Sequence, residues 1–149
     1  MNTRYLLPLL LIPVLTTAQQ TDRQHLKSKL GQEHNLPFSS GVLVGNTLYI
    51  AGTTGVDPST KGPVTAEEEA HLVMKQVKQV VEQAGMTMDD IVSLQVFCTD
   101  LANYDTFNSV YKTYFHGDYP ARAFVGASHL LFGARYEVMG VAIGSGQKR

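Results

Sequence analysis

From Gly41 onward the chain alternates short apolar runs with turn residues, and one long stretch carries a helical period; residues 19–35 are polar without any sustained period. Val42, Leu43 and Val44, then Gly45-Asn46, then residues 47–51 predict two strands around a tight turn. Gly52, Gly55, Pro58, Gly62 and Pro63 follow in what reads as a loop of about a dozen residues. Thr65 is placed to cap a helix, and Glu68, three residues on, closes a capping box. Ala70, Val73, Met74, Val77, Val80, Val81 and Ala84 recur at spacings of three and four, while Glu67, Glu68, Lys75, Lys78 and Glu82 fall elsewhere, so one face is buried. Gly85 suits the left-handed position that ends such a helix.

Residues 91–97 are rich in β-branched and aromatic side chains and predict a third strand. A second helix is expected over 104–115, with Phe107, Val110, Tyr111 and Tyr114 on one side, ended by Gly117 and Pro120. Residues 121–127 and 135–143 give two further strands. The order β-β-α-β-α-β-β, with strands able to pair antiparallel, predicts an α+β domain in which two helices cover one face of a sheet. If the other face is also apolar it must be covered by another chain, so an oligomer is expected.

Residues 19–35 carry no such pattern and are expected to be a linker joining the body near Leu36. The first 18 residues have a different character: a short start with Arg4, an apolar run over 5–15, then Thr16-Thr17-Ala18. The run is shorter than the roughly 20 residues needed to span a membrane, and Pro8 and Pro13 disfavour a stable helix. This is the pattern of an export signal cleaved after Ala18. It implies a periplasmic or secreted protein with no membrane association after cleavage. No cysteine lies near the site, which excludes lipoprotein processing.

Removing Arg4 with that segment leaves 11 Lys+Arg against 13 Asp+Glu, a net charge of −2. The basic residues are scattered singly rather than clustered, so nucleic acid is a poor candidate partner. The remaining length suits one core. Cys98 is the only cysteine, and its place at the end of an apolar run predicts a packed core thiol rather than a nucleophile.

Most familiar chemistry is excluded by its missing motifs. His25, His34, His71, His116 and His129 include no helical pair at metal-ligand spacing. There is no phosphate-binding glycine loop and no nucleophile elbow. The three glutamates Glu67, Glu68 and Glu69 are accounted for by the helix dipole. What stands out is charge inside apolar strands: Arg122 in Pro120-Ala121-Arg122-Ala123-Phe124-Val125, and Glu137 in Tyr136-Glu137-Val138-Met139. Strand alternation lets either face solvent. A guanidinium on a rigid strand is also a two-pronged clamp for a carboxylate.

Several segments together resemble the RidA/YjgF family. They are Leu36-Pro37-Phe38-Ser39-Ser40-Gly41, the strand from Val44 to Gly52, Asp89-Asp90-Ile91-Val92, the run from Val96 to Leu101, the helix from Tyr104 to Tyr114 with Asn108, and Pro120-Ala121-Arg122. The similarity covers about residues 36–143 in one order. It implies a chorismate-mutase-like α+β fold, a homotrimer with clefts between subunits, and hydrolysis of 2-enamine or 2-imino acids to 2-oxo acids and ammonia without a cofactor or metal. By the same resemblance Arg122 is the carboxylate anchor, Glu137 positions the attacking water, and Asn108 and Gly52 lie near the cleft. Phe38 stands where tyrosine is common, Ala51 where serine is common, and Phe124 where a small residue is common. A narrower or more apolar pocket is therefore expected. The alternative of another class is a non-catalytic module that holds a small carboxylate in the periplasm on the same Arg122. RNA cleavage, also linked with some relatives, ranks third for want of a histidine pair or basic groove.

Overall fold

The computed structural model describes residues 22–56 and 65–145. The expected export segment, and Pro58, Gly62 and Pro63 of the expected loop, lie outside the described residues.

Six strands form one sheet: β1 (Arg23–Leu26), β2 (Gly41–Val44), β3 (Thr47–Thr54), β4 (Ile91–Cys98), β5 (Ala121–Gly126) and β6 (Tyr136–Ile143). Their order across the sheet is β1-β2-β3-β6-β4-β5. The helices are α1 (Lys29–Glu33), α2 (Ala66–Gln83) and α3 (Tyr104–Tyr111). The α2 N-terminus is fixed as its sequence predicts: Glu68 N donates to Thr65 Oγ1 at 3.2 Å and Thr65 N donates to Glu68 Oε2 at 2.8 Å. Gly85 ends this segment at φ +72°.

Strand alternation sorts the two faces. Leu48, Ile50, Leu94, Val96, Cys98, Tyr136, Val138 and Ala142 point to one side, where they pack with Val73, Met74, Val77 and Val81 of α2 and Phe107 and Val110 of α3. Cys98 is a core thiol, fully buried. The other face carries Tyr49, Val92, Val125, Met139 and Ile143, all exposed. It is largely apolar and, among the described residues of the single chain, uncovered.

Four expectations need correction. Gly52, expected to open a loop, lies inside β3, which runs on to Thr54. Residues 23–26 and 29–33 of the expected linker are β1 and α1, and β1 pairs antiparallel with β2. Only Leu26 of that strand is buried, because an edge strand with one covered side needs few apolar residues. The pairing is not antiparallel throughout: β5 runs parallel to β4, since α3 carries the chain back to the start of the sheet between them. The second helix is α-helical only to Tyr111 and finishes as a tighter 3-10 turn over Lys112–Tyr114.

Candidate active site

The expected site residues fall into two groups on opposite faces of the sheet. Arg122 pairs with Leu94 and Phe124 with Val96, so both share the helix-covered side, at the β5 edge. Glu137 pairs with Phe97 and Thr54 and points to the open side.

The guanidinium of Arg122 is half-buried and held by side chains. Its Nη2 donates to Asn108 Oδ1 of α3 at 2.7 Å. Its Cζ lies 4.5 Å from the centroid of the Tyr111 ring, 5.6 Å from Phe124 and 5.8 Å from Tyr104. Asn108 and Tyr111 are one helical turn apart, so both meet the same strand. The ring attracts the cation, and the Asn108 bond restrains its rotation. Only one of five N–H donors is used by that bond, which leaves the group able to take a carboxylate with two parallel bonds.

Phe124 meets Tyr104 edge to face at 5.0 Å and Phe107 at 5.5 Å. The surroundings of Arg122 are therefore aromatic on three sides. Tyr111 is buried, and its hydroxyl has no hydrogen-bond partner among the described residues. Burial pushes that hydroxyl up to about 12 against the opposing pull of Arg122, so it stays neutral at physiological pH.

Glu137 is placed by backbone instead. The β3–β6 ladder slips between Ile50 and Thr53, a bulge that puts both Ala51 and Gly52 on the open side. A Cβ at Gly52 would overlap Glu137 Oε1; the absent side chain is what lets the carboxylate lie against this strand. Phe38, 57% exposed, stands on the surface in the segment leading to β2. Here Ser40 N donates to Leu26 O at 2.8 Å and Ala51 N to Ser40 O at 3.0 Å, tying this segment to the bulge.

Two residues at these groups were not singled out by sequence. Tyr111 reads as one more aromatic on the core face of α3. Glu69 reads as a dipole-compatible acid, yet it is fully buried and bonded to Arg135 and the start of β6. The signal existed: Glu69 lies four residues before Val73, on the apolar stripe of α2.

Residues 32–144 match the family described as Endoribonuclease L-PSP. Human 2-iminobutanoate/2-iminopropanoate deaminase is 37% identical over 109 residues, covering 72% of this chain and 80% of the human protein. Among solved structures, the Rid family protein YyfA of Yersinia pestis superimposes with a TM-score of 0.73 at 30% identity, covering 83% of this chain and all of that one. E. coli TdcF, solved with bound serine, gives 0.69 at 32% identity, covering 74% and 90%. The chain belongs to the endoribonuclease L-PSP family, the YjgF/RidA proteins, and has their α+β fold.

Proposed function

We propose that this chain hydrolyses 2-imino acids and their enamine tautomers to 2-oxo acids and ammonia, in homotrimeric clefts that join the Arg122 group of one subunit to the Glu137 group of its neighbour. The observation that carries the reading is the oriented, half-buried guanidinium at the sheet edge, which suits a carboxylate beside a planar reacting carbon. The name of the human relative supports the substrate class. Serine bound to TdcF supports a site for a small molecule with a carboxylate.

In this scheme Arg122 fixes the substrate carboxylate and Glu137 accepts a proton from water as its oxygen adds to the imine carbon. The imine nitrogen is protonated, the carbinolamine collapses, and ammonia leaves as the carbon–oxygen double bond forms. No redox change occurs, so the chemistry requires only positioning and proton transfer. Because Arg122 and Glu137 project from opposite faces of one sheet, a single chain does not bring them to one substrate. The uncovered apolar face, with Tyr49, Val125, Met139 and Ile143, supplies the surface on which another subunit would seat. The scattered basic residues and net charge of −1 favour this small-molecule reading over RNA cleavage, which draws on clustered cations.

The test is the rate of 2-oxo acid release, above the spontaneous rate, from imino acids formed in place by an amino-acid oxidase. Glu137→Gln should keep the trimer and its affinity for a 2-oxo acid while slowing hydrolysis about 100-fold or more. A wild-type protein that binds the 2-oxo acid yet gives no acceleration would instead be a carboxylate-binding module. A stable monomer in light scattering would remove the shared cleft.

A further inference from the structure

Glu137 is the second residue of β6, directly after a loop in which Phe132 and Gly133 adopt φ of +59° and +69°. The first residues of a strand fray unless tied down. A water-positioning group there needs an anchor, and the anchor comes from the first turn of α2.

Glu69 is fully buried. Its Oε1 accepts the backbone N–H of Arg135 at 2.5 Å and that of Tyr136 at 3.2 Å. Its Oε2 accepts Arg135 Nη1 at 2.7 Å. One carboxylate thus fastens the two residues immediately before Glu137. Arg135 O in turn accepts Thr99 N–H at 3.0 Å, linking the same point to the end of β4. On the other side, a Cβ at Gly55 would overlap the Glu69 carbonyl oxygen and press on its Cγ, so the end of β3 lies flush against this residue. Thr54 on that end and Phe97 on β4 are the two cross-strand neighbours of Glu137. Glu69 therefore fastens the two residues before Glu137 directly, lies against the end of β3, and reaches the end of β4 only through Arg135 O, while its own carboxylate lies on the opposite, helix-covered side.

We infer that Glu69 is a positioning residue for the hydrolytic reaction, acting through Glu137 by clamping the start of β6. A buried carboxylate with one cationic partner and two backbone donors is costly to desolvate. Its place inside an otherwise apolar stripe is explained by what it holds. This inference rests on the proposed role of Glu137, and the test separates the two.

The experiment is a double-mutant cycle on the full-length trimer, with kcat and KM measured separately for imino acids and melting followed in each variant. Glu69→Gln keeps one oxygen acceptor but loses the pairing with Arg135, whose side chain is 39% exposed and can reach water. It should lower kcat about ten-fold and leave KM within about two-fold, since Arg122 is untouched. In a Glu137→Gln background the same substitution should cost less than about two-fold, because the group it positions is already disabled. Arg135→Lys, which keeps the charge but not the planar fork, should give a smaller loss confined to kcat in the same way, and it carries the cycle if Glu69→Gln does not assemble. An unchanged kcat, or a loss equally large in the Glu137→Gln background, would overturn the positioning role. A wild-type rate in Glu137→Gln alone would instead defeat the reading of Glu137 on which it rests.

Discussion

Arg122 and Glu137 are held in place by opposite means. The arginine is fixed by side chains: Asn108 bonds its Nη2 and the rings of Tyr111, Phe124 and Tyr104 surround its cation. The glutamate is fixed by backbone, through the missing side chain of Gly52 and the clamped start of β6. The difference matches what each would do in the proposed reaction. A guanidinium that receives a carboxylate needs a set plane and partial shelter from water, which rings and an amide supply. A carboxylate that handles a proton needs a set position and open access on one side, which a bulge and a glycine supply. The two halves should therefore fail differently, one through affinity and the other through turnover.

The largest effect is expected at Arg122. Losing a charge-assisted contact in a sheltered site costs on the order of 2 to 4 kcal/mol, about 30- to 1000-fold in catalytic efficiency. Arg122→Ala should show that loss, and Arg122→Lys should fall between it and the parent, since lysine offers a point charge without the planar fork. Efficiency on a panel of imino acids measures it. A well-assembled Arg122→Ala protein with parental rates would place the carboxylate elsewhere.

A smaller loss, of the other kind, is expected at Gly52. The added methyl of Gly52→Ala overlaps Glu137 Oε1 and must displace that carboxylate, so kcat should drop about 10- to 100-fold with KM little changed. If KM rises instead while kcat holds, the two halves are not distinct in the way described.

Tyr111 separates ring from hydroxyl and gives the smallest change. Tyr111→Phe keeps the face that Arg122 lies over and removes a buried hydroxyl without a partner among the described residues, so activity should hold and stability should rise by about 1 kcal/mol. Tyr111→Leu removes the ring, and the loss of a cation–π contact of about 1 kcal/mol should raise KM about five-fold. Denaturant melts and steady-state kinetics on the pair decide it. Equal kinetics for the two variants would show that the ring does nothing for Arg122.

Much of this fold was legible in the sequence because its elements announce themselves locally. The capping box at Thr65 and Glu68, the stripe of α2 and the hairpin at Gly45-Asn46 are all decided within a few residues. β1 was not legible, since three of its four residues face solvent and a polar edge strand has no period to find. The parallel pairing of β4 with β5 was hidden for a different reason: alternation tells which side chains share a face, not which way the neighbouring strand runs. At the site, Arg122 and Glu137 stood out as charges within apolar strands, but their faces depended on tertiary packing. Arg122 turns inward with Phe124 because α3 offers Asn108 and Tyr111 there. The dipole reading of Glu69 was incomplete: an acid in the first turn of α2 is favourable for the dipole alone, and that sufficient explanation concealed a second partner distant in sequence, at Arg135.

The strand order has a consequence for how the molecule is made. β6 comes latest in sequence yet lies in the middle of the sheet, between β3 and β4. Without it, the strand pairings that remain would be β1-β2-β3 on one side and β4-β5 on the other, each with an unpaired edge and neither with the row that carries Glu137. Pairings between strands so far apart in the chain are expected to form more slowly than local ones. The strand that completes the sheet is also the strand that brings the acid. Under the proposed reaction, a chain in which β6 has not docked would lack the acid assigned to activate water, so that activity would report on completion of the sheet.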